Sequence, residues 1–390
     1  MRRVALALAL ALIGVIPLEN AVFIEGLGRL SKLVGLVAGG FWGIQALMSG
    51  RIRQPRPAHL LILLYILWNV ASVLWSIDLE ASQARALTYV QILGLAAIVW
   101  DCLETEWALR AGLQAYLVGA CVPIASAIHN YLTAGTTFYY ARYSASGFHV
   151  DDLGHIVALG IPISWFLALS DAGQGSRGRW IRWANWAYTP PAVLVVFLTA
   201  SRSSILALGP SLLFALLLLP RLPVPARTAV VVLSTVALLA IVPLVPESSV
   251  ERFLRTKEVV TVGGLNGRLE IWREGLDIFA DHPVAGVGTG GFRRANVDYG
   301  KAGHNLAISL LAEVGLVGFI LFAAAFLWIL RDALVQPPVW RTLWLTLLMI
   351  WGLGALTHNW EARKQTWLML TLVTVGAGLI DRREGGEPGP

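Results

Sequence analysis

The residues best suited to chemistry in this chain are a set of arginines and one histidine, held in one stretch. From Gly263 to Phe319 the sequence is first polar, with Arg268, Arg273, Arg293, Arg294 and Lys301 in one run, and then turns apolar at His304. A guanidinium offers a planar fork that matches two phosphate oxygens. A neutral imidazole accepts a proton near pH 7. The pattern therefore reads as an anion held beside a base. His304 is expected in the first turn of a helix, where the positive end of the dipole favours the neutral ring. The bland alternative is a histidine capping an interfacial helix. Glu313 follows nine residues later, and nine steps of about 100° place it on the opposite side of the helix, away from the atom His304 would touch. Gly315 and Gly318 are expected to form a small-residue face for close helix approach.

Other stretches add candidates. Arg202 sits in TASRSS, between two apolar runs. A charge at that depth is costly unless paired, although snorkelling to the interface would also explain it. Arg268 opens a segment with Leu269, Trp272, Leu276 and Phe279 at helical spacing. That segment is expected to lie flat on the membrane with its aromatic face toward lipid; without it, Arg268 would be a solvated loop cation. The run GVGTGG has no Lys-Ser/Thr after it and is no P-loop; it is expected to be a flexible turn whose amides can meet an anion. In VDDLGH, adjacent Asp151 and Asp152 point in different directions, and only one of them shares helical spacing with His155. A helix cap is expected there, and no metal. Arg142 lies just upstream, and His358, Glu361, Arg363 and Lys364 form a short polar turn that offers another anion contact or nothing special. Arg142, Arg273, Arg293, Asn305 and His358 are expected to bind substrate around His304, Arg202 and Arg268.

These side chains must be positioned by elements that live in a bilayer. Of 390 residues, 56% are hydrophobic and 14% charged, where a soluble domain carries about 25% charged. Apolar runs fall at about 4–18, 33–48, 60–76, 84–100, 107–128, 153–170, 184–200, 204–219, 228–245, 305–330, 341–357 and 365–380. The fold class is an all-α polytopic membrane protein of about twelve transmembrane helices with one structured periplasmic loop. Residues 1–245 would hold helices 1–9, 246–303 the loop with its amphipathic helix, 304–380 helices 10–12, and 381–390 a cytoplasmic tail. The N-terminal MRRVALALALALIGVIPL resembles a signal peptide, but spans follow at once and it is read as the first anchor. Arg2 and Arg3, Arg51, Arg53 and Arg56, Arg177, Arg179 and Arg182, Arg221 and Arg227, Arg331 and Arg341, and Arg382 and Arg383 all fall on one side if every run crosses. The positive-inside rule makes that side cytoplasmic. The net charge of +6 is explained by topology and anionic lipid, not nucleic acid. Cys102 and Cys121 give no disulfide framework.

The segments GRLEIW, DHPVAGVGTGGF and HNLAISLLAEVGLVG, with TASRSS upstream, resemble the O-antigen ligase and polymerase family of membrane glycosyltransferases. The resemblance covers the hydropathy of the whole chain but only about three short motifs in residues. It implies His304, Arg202 and Arg268 as the catalytic residues, and a donor glycan on undecaprenyl diphosphate. The acceptor would be lipid A–core or a growing glycan, with no cofactor. It implies metal-independent, inverting transfer in the bacterial inner membrane, with the active site facing the periplasm. Ligation of O-antigen is the first expectation, polymerisation of O-antigen or exopolysaccharide the second, and protein O-oligosaccharyl transfer the third. Family members often carry asparagine near Asp152, so that position departs from the pattern. A lipid-linked sugar transporter is the alternative of a different class; it calls for midplane polar groups, internal repeats or broken helices, whereas the polar residues here gather at one face.

Overall fold

The computed structural model describes residues 1–25, 28–133, 142–170, 176–254 and 264–384. Among the described residues the chain is all-α apart from a hairpin of two two-residue strands, β1 (Phe23–Ile24) and β2 (Gly28–Arg29), paired antiparallel. Among the described residues the helices of eight residues or more are α1 (Arg2–Val15), α2 (Leu30–Ser49), α3 (Pro57–Ala71), α4 (Leu79–Cys102), α5 (Glu106–Leu132), α6 (Val150–Ser170), α7 (Ser176–Ala187), α8 (Thr189–Leu198), α9 (Arg202–Leu218), α10 (Val224–Ile241), α11 (Glu247–Leu254), α12 (Gly264–Asp281), α13 (Leu306–Leu334), α14 (Pro338–Ala355) and α15 (Lys364–Glu384). Among the described residues, eight helical segments are long and apolar enough to cross a membrane. Exposed leucines and valines are frequent along them, as at Leu64, Leu87, Val118, Leu206, Leu239 and Leu327. A lipid-facing surface needs no polar cover. The chain is a multi-pass membrane protein.

Helix α6 is the centre of the bundle: nearly all of its span is buried, with Leu153, Val157, Ala158 and Ile161 fully so. Gly154 and Gly160 allow this. A Cβ at Gly154 would lie 2.4 Å from the Ser204 Cβ, and one at Gly160 would lie 2.1 Å from the Tyr188 hydroxyl. One expected span departs from the sequence reading. The run 184–200 is broken at Tyr188 into α7 and the ten-residue α8. Pro190 and Pro191 lack the amide protons that would continue α7, and they suit the start of a new helix instead.

The second departure is inside α13. Gly315 takes φ 66° and ψ −168°, a conformation outside any helix. The backbone groups this break would orphan are met by the segment 283–288. Pro283 O accepts from Leu316 N at 2.9 Å, and Val284 O accepts from Val317 N at 3.3 Å. Val287 N donates to Ala312 O at 3.0 Å, and Gly288 N donates to Glu313 O at 2.8 Å. Inside a membrane protein, irregular backbone is tolerated only where protein or a cavity satisfies it. The glycine run is therefore a buried plug and not a flexible turn, and Gly315 serves the break and not a helix-packing face. Gly318 does face a neighbour: a Cβ there would lie 3.1 Å from Trp68 Cδ1. The break is filled by the protein's own backbone, unlike the substrate-lined breaks of a transporter.

Helix α12 docks through a stripe that the sequence reading did not single out. Its buried stripe is Ile271, Gly275 and Ile278, set against Val287, Phe292 and Ala312, while Leu269 and Leu276 stay exposed. A Cβ on Gly275 would meet Ile308 Cγ2 at 2.5 Å. The helix carries two adjacent apolar stripes, and close approach at the glycine selects the one that docks on α13.

Candidate active site

His304 does not begin the helix. It takes φ 47°, in the left-handed region, two residues ahead of α13. Such a conformation costs a non-glycine residue about 1–2 kcal/mol, so the surroundings must hold it. They do: Trp272 Nε1 donates to Gly303 O at 3.0 Å, and a Cβ on Gly303 would lie 2.5 Å from Ser309 Oγ. Asn305 is the N-cap, its Oδ1 accepting from Ile308 N at 3.2 Å while its Nδ2 reaches Leu356 O at 3.4 Å. The left-handed turn directs His304 off the helix and onto the wall of a cavity of about 670 Å³. Asn305 is thereby the structural cap and does not line the cavity.

This cavity draws its lining from stretches far apart in the chain: 19–32, 81–91, 149–152, 290–313 and 358–364. Six Arg and Lys side chains line it against four carboxylates. Each carboxylate is engaged. Glu19 meets Lys364 at 3.2 Å, Asp151 meets Arg142 at 2.6 Å, Asp152 meets Arg363 at 2.8 Å, and Glu313 lies 3.8 Å from Arg85. Lys32 and Arg293, which also line the cavity, form no ion pair among the described residues. The excess is cationic, as an anionic substrate requires.

Burial, and next the Arg268 charge, push the His304 imidazole down to about 4, so it is neutral and able to take a proton at pH 7. Desolvation is the first cause of that shift. Arg268 is itself held below its ordinary value, first by burial. Its charge interacts with those of Asp151, Arg202 and His304. Arg202 opens α9 behind the left-handed Ala200, and its Nε donates to Arg252 O at 3.2 Å. Arg202, Arg268 and Arg142 do not line the cavity, whereas His304, Arg293 and His358 do; Arg142 and Arg268 reach it through the charge of Asp151, which lines it. Arg273 is exposed on α12 and does not line it.

On the floor lies an aromatic cluster. His155 and His358 have ring centroids 5.3 Å apart, and Trp360 packs 5.0 Å from His155. His155 Nδ1 is within 3.0 Å of Asp151 O and 3.2 Å of Ser204 Oγ; His358 Nδ1 is within 3.1 Å of Gly354 O. Burial lowers the His358 value below the ordinary histidine range. Asp151 and Asp152 turn to different partners, with Trp360 Nε1 donating to Asp152 Oδ1 at 3.2 Å. Among the described residues no three His, Cys, Asp or Glu side chains gather as metal ligands would. Their carboxylates hold arginines.

Two features escaped the sequence reading. Arg85 on α4 is half-buried between Glu361 at 2.7 Å and Glu313 at 3.8 Å. Its signal was available: a lone arginine in the fourth apolar run, which in a membrane span marks a functional or paired site. Glu313 lines the same cavity as His304. The helical wheel put the two on opposite sides because it assumed one continuous helix through His304. The Gly290 and Phe292 amides donate to the Glu313 carboxylate, so the glycine run does meet an anion, one that belongs to the protein.

Residues 191–323 match the family model described as O-antigen ligase. Over those residues the chain is similar to an O-antigen ligase domain. No curated protein matches the chain. The domain holds Arg202, Arg268 and His304 together with the broken helix and its plug.

Proposed function

We propose that this protein is an O-antigen ligase that moves a glycan from undecaprenyl diphosphate to a hydroxyl of lipid A–core, on the periplasmic side of the bacterial inner membrane. The observation that carries the reading is a neutral His304 on the wall of a cationic cavity, electrostatically coupled to Arg268 and through it to Arg202, with all three inside the matched domain. In this reading the two guanidiniums hold the diphosphate oxygens and balance the charge that grows on the leaving group. His304 takes the proton of the acceptor hydroxyl as its oxygen attacks the anomeric carbon. The bond from that carbon to the phosphate oxygen breaks, the diphosphate lipid departs, and the anomeric centre inverts. The arginines take the part a metal ion plays elsewhere. About twelve crossings, with 246–303 outside and both termini in the cytoplasm, complete the proposal.

The test is deletion of the gene followed by gel analysis of the cell's lipopolysaccharide. Loss of every capped species with core intact supports ligation. A single repeat on core assigns polymerisation instead. Transfer by purified protein is expected to persist in EDTA; loss of activity that Mg²⁺ or Mn²⁺ restores would remove the arginines from that role. Proteoliposomes that take up lipid-linked glycan without transferring it would make the protein a transporter.

A further inference from the structure

The opposite end of the bundle holds a second cavity, of about 850 Å³, lined by Arg53, Arg56, Arg331 and Arg382 and by the indole rings of Trp100 and Trp328. Asp381 also lines it, but Asp381 and Asp332 are both engaged by Arg56, the latter at 2.9 Å. Arg53 is the unusual member. It is only 8% exposed, yet it forms no ion pair through its side chain among the described residues. Its guanidinium carbon sits 3.5 Å above the Trp100 ring, and Nη1 donates to Trp100 O at 3.1 Å and Leu103 O at 3.4 Å. Nη2 has no hydrogen-bond partner, and neither does Arg56 Nε. Arg331 lies 5.0 Å over Trp328. A buried guanidinium with an unmet donor carries a desolvation cost that folds normally relieve with an acceptor. Burial, and next the charge of Arg382, push the Arg53 value down to about 9.

We infer that this cavity is an anion site that takes a phosphate group, with Arg53 as its buried donor and Arg382 and Arg331 as its open cations. The guanidinium fork fits phosphate oxygens, and the indole rings fit the apolar part of a headgroup or ring. The group is supplied either by an anionic phospholipid or by a soluble phosphate compound. The site is remote from the cavity around His304 and does not depend on the proposed transfer reaction.

The experiment uses full-length protein purified in detergent. One arm measures retention of phosphatidylglycerol against phosphatidylethanolamine by native mass spectrometry. A second arm measures the melting shift in sodium phosphate against sodium chloride at equal ionic strength. Arg53→Gln is tested along with Arg382→Gln, because Arg53 also ties two carbonyls and its loss endangers folding. Arg382→Gln is expected to weaken binding about five-fold, and Arg221→Gln, an exposed arginine elsewhere, to leave it unchanged. Selective retention of phosphatidylglycerol assigns a lipid source, and a shift with phosphate alone assigns a soluble one. Equal retention of both lipids with no phosphate shift overturns the inference, and so does equal loss in Arg382→Gln and Arg221→Gln.

Discussion

Gly315→Ala tests the broken helix on which the cavity wall depends. The added Cβ would lie 2.3 Å from Val284 O and 2.6 Å from Ala285 N, both backbone atoms that no rotamer change can move. The conformation at φ 66° and ψ −168° belongs to glycine almost alone and costs another residue about 1–3 kcal/mol. Relieving the overlap shifts the plug and loosens the bonds from Leu316 N to Pro283 O and from Val317 N to Val284 O. Each contributes a net of about 0.5–1.5 kcal/mol. The total is about 2–6 kcal/mol by these terms, against a usual stability of about 5–15 kcal/mol. Gly352 on α14 is the control, since nothing lies within 4 Å of a Cβ there. Gly352→Ala is expected to be neutral or to stabilise by about 0.5–1 kcal/mol. The assay is thermal unfolding of purified protein followed by tryptophan fluorescence, with glycan transfer measured alongside. Because Glu313 and the 290–293 segment share the cavity with His304, transfer should fall with stability. A Gly315→Ala protein that melts with the wild type and transfers normally would show that the break is not built as described.

Arg202→Lys and Arg268→Lys keep charge but lose the fork, so transfer should fall roughly ten- to hundred-fold, since a charge-assisted hydrogen bond is worth about 1.5–3 kcal/mol. His304→Ala should lower turnover about 10²- to 10⁴-fold while donor binding persists; abolished donor binding with normal turnover in both lysine variants would reverse the roles. Because His304 sits at about 4 when folded and at 6.5 as a free group, the unfolded chain binds the extra proton between those values. Its contribution to stability is therefore full above about pH 6.5 and is lost as pH falls toward about 4. The acid limb of kcat/KM should lie near pH 4, and a limb at pH 6.5 would mean an imidazole that is not desolvated. For topology, Val297→Cys and Ile52→Cys, both at exposed positions, are compared in a background without Cys102 and Cys121. An impermeant thiol reagent should label only the first from the periplasm, and the reverse pattern would invert the orientation.

The sequence by itself determined the solvent and the chemistry. Hydropathy marks each run that becomes a helix, because a span must be apolar along its whole length whatever its neighbours are. The arginine-rich polar stretch that ends on His304 was legible for the same reason, as charge beside a membrane segment has few uses. What lay beyond the sequence was decided by contacts between distant segments. That Gly315 breaks α13, and that residues 283–288 repair it, follows from backbone groups brought together across a fold, and no periodicity encodes them. The placing of Glu313 and His304 on the wall of one cavity follows from a left-handed turn at His304, which a helical wheel cannot anticipate. The docked face of α12 was one of two apolar stripes, chosen by the fit of Gly275 against Ile308. The pairing of Arg85 with Glu361 and Glu313 joins three helices and connections far apart in the chain. Local sequence fixes what each segment can be; only packing fixes which of its polar groups meet, because an unpaired charge in a membrane is paid for by whichever partner the fold brings near.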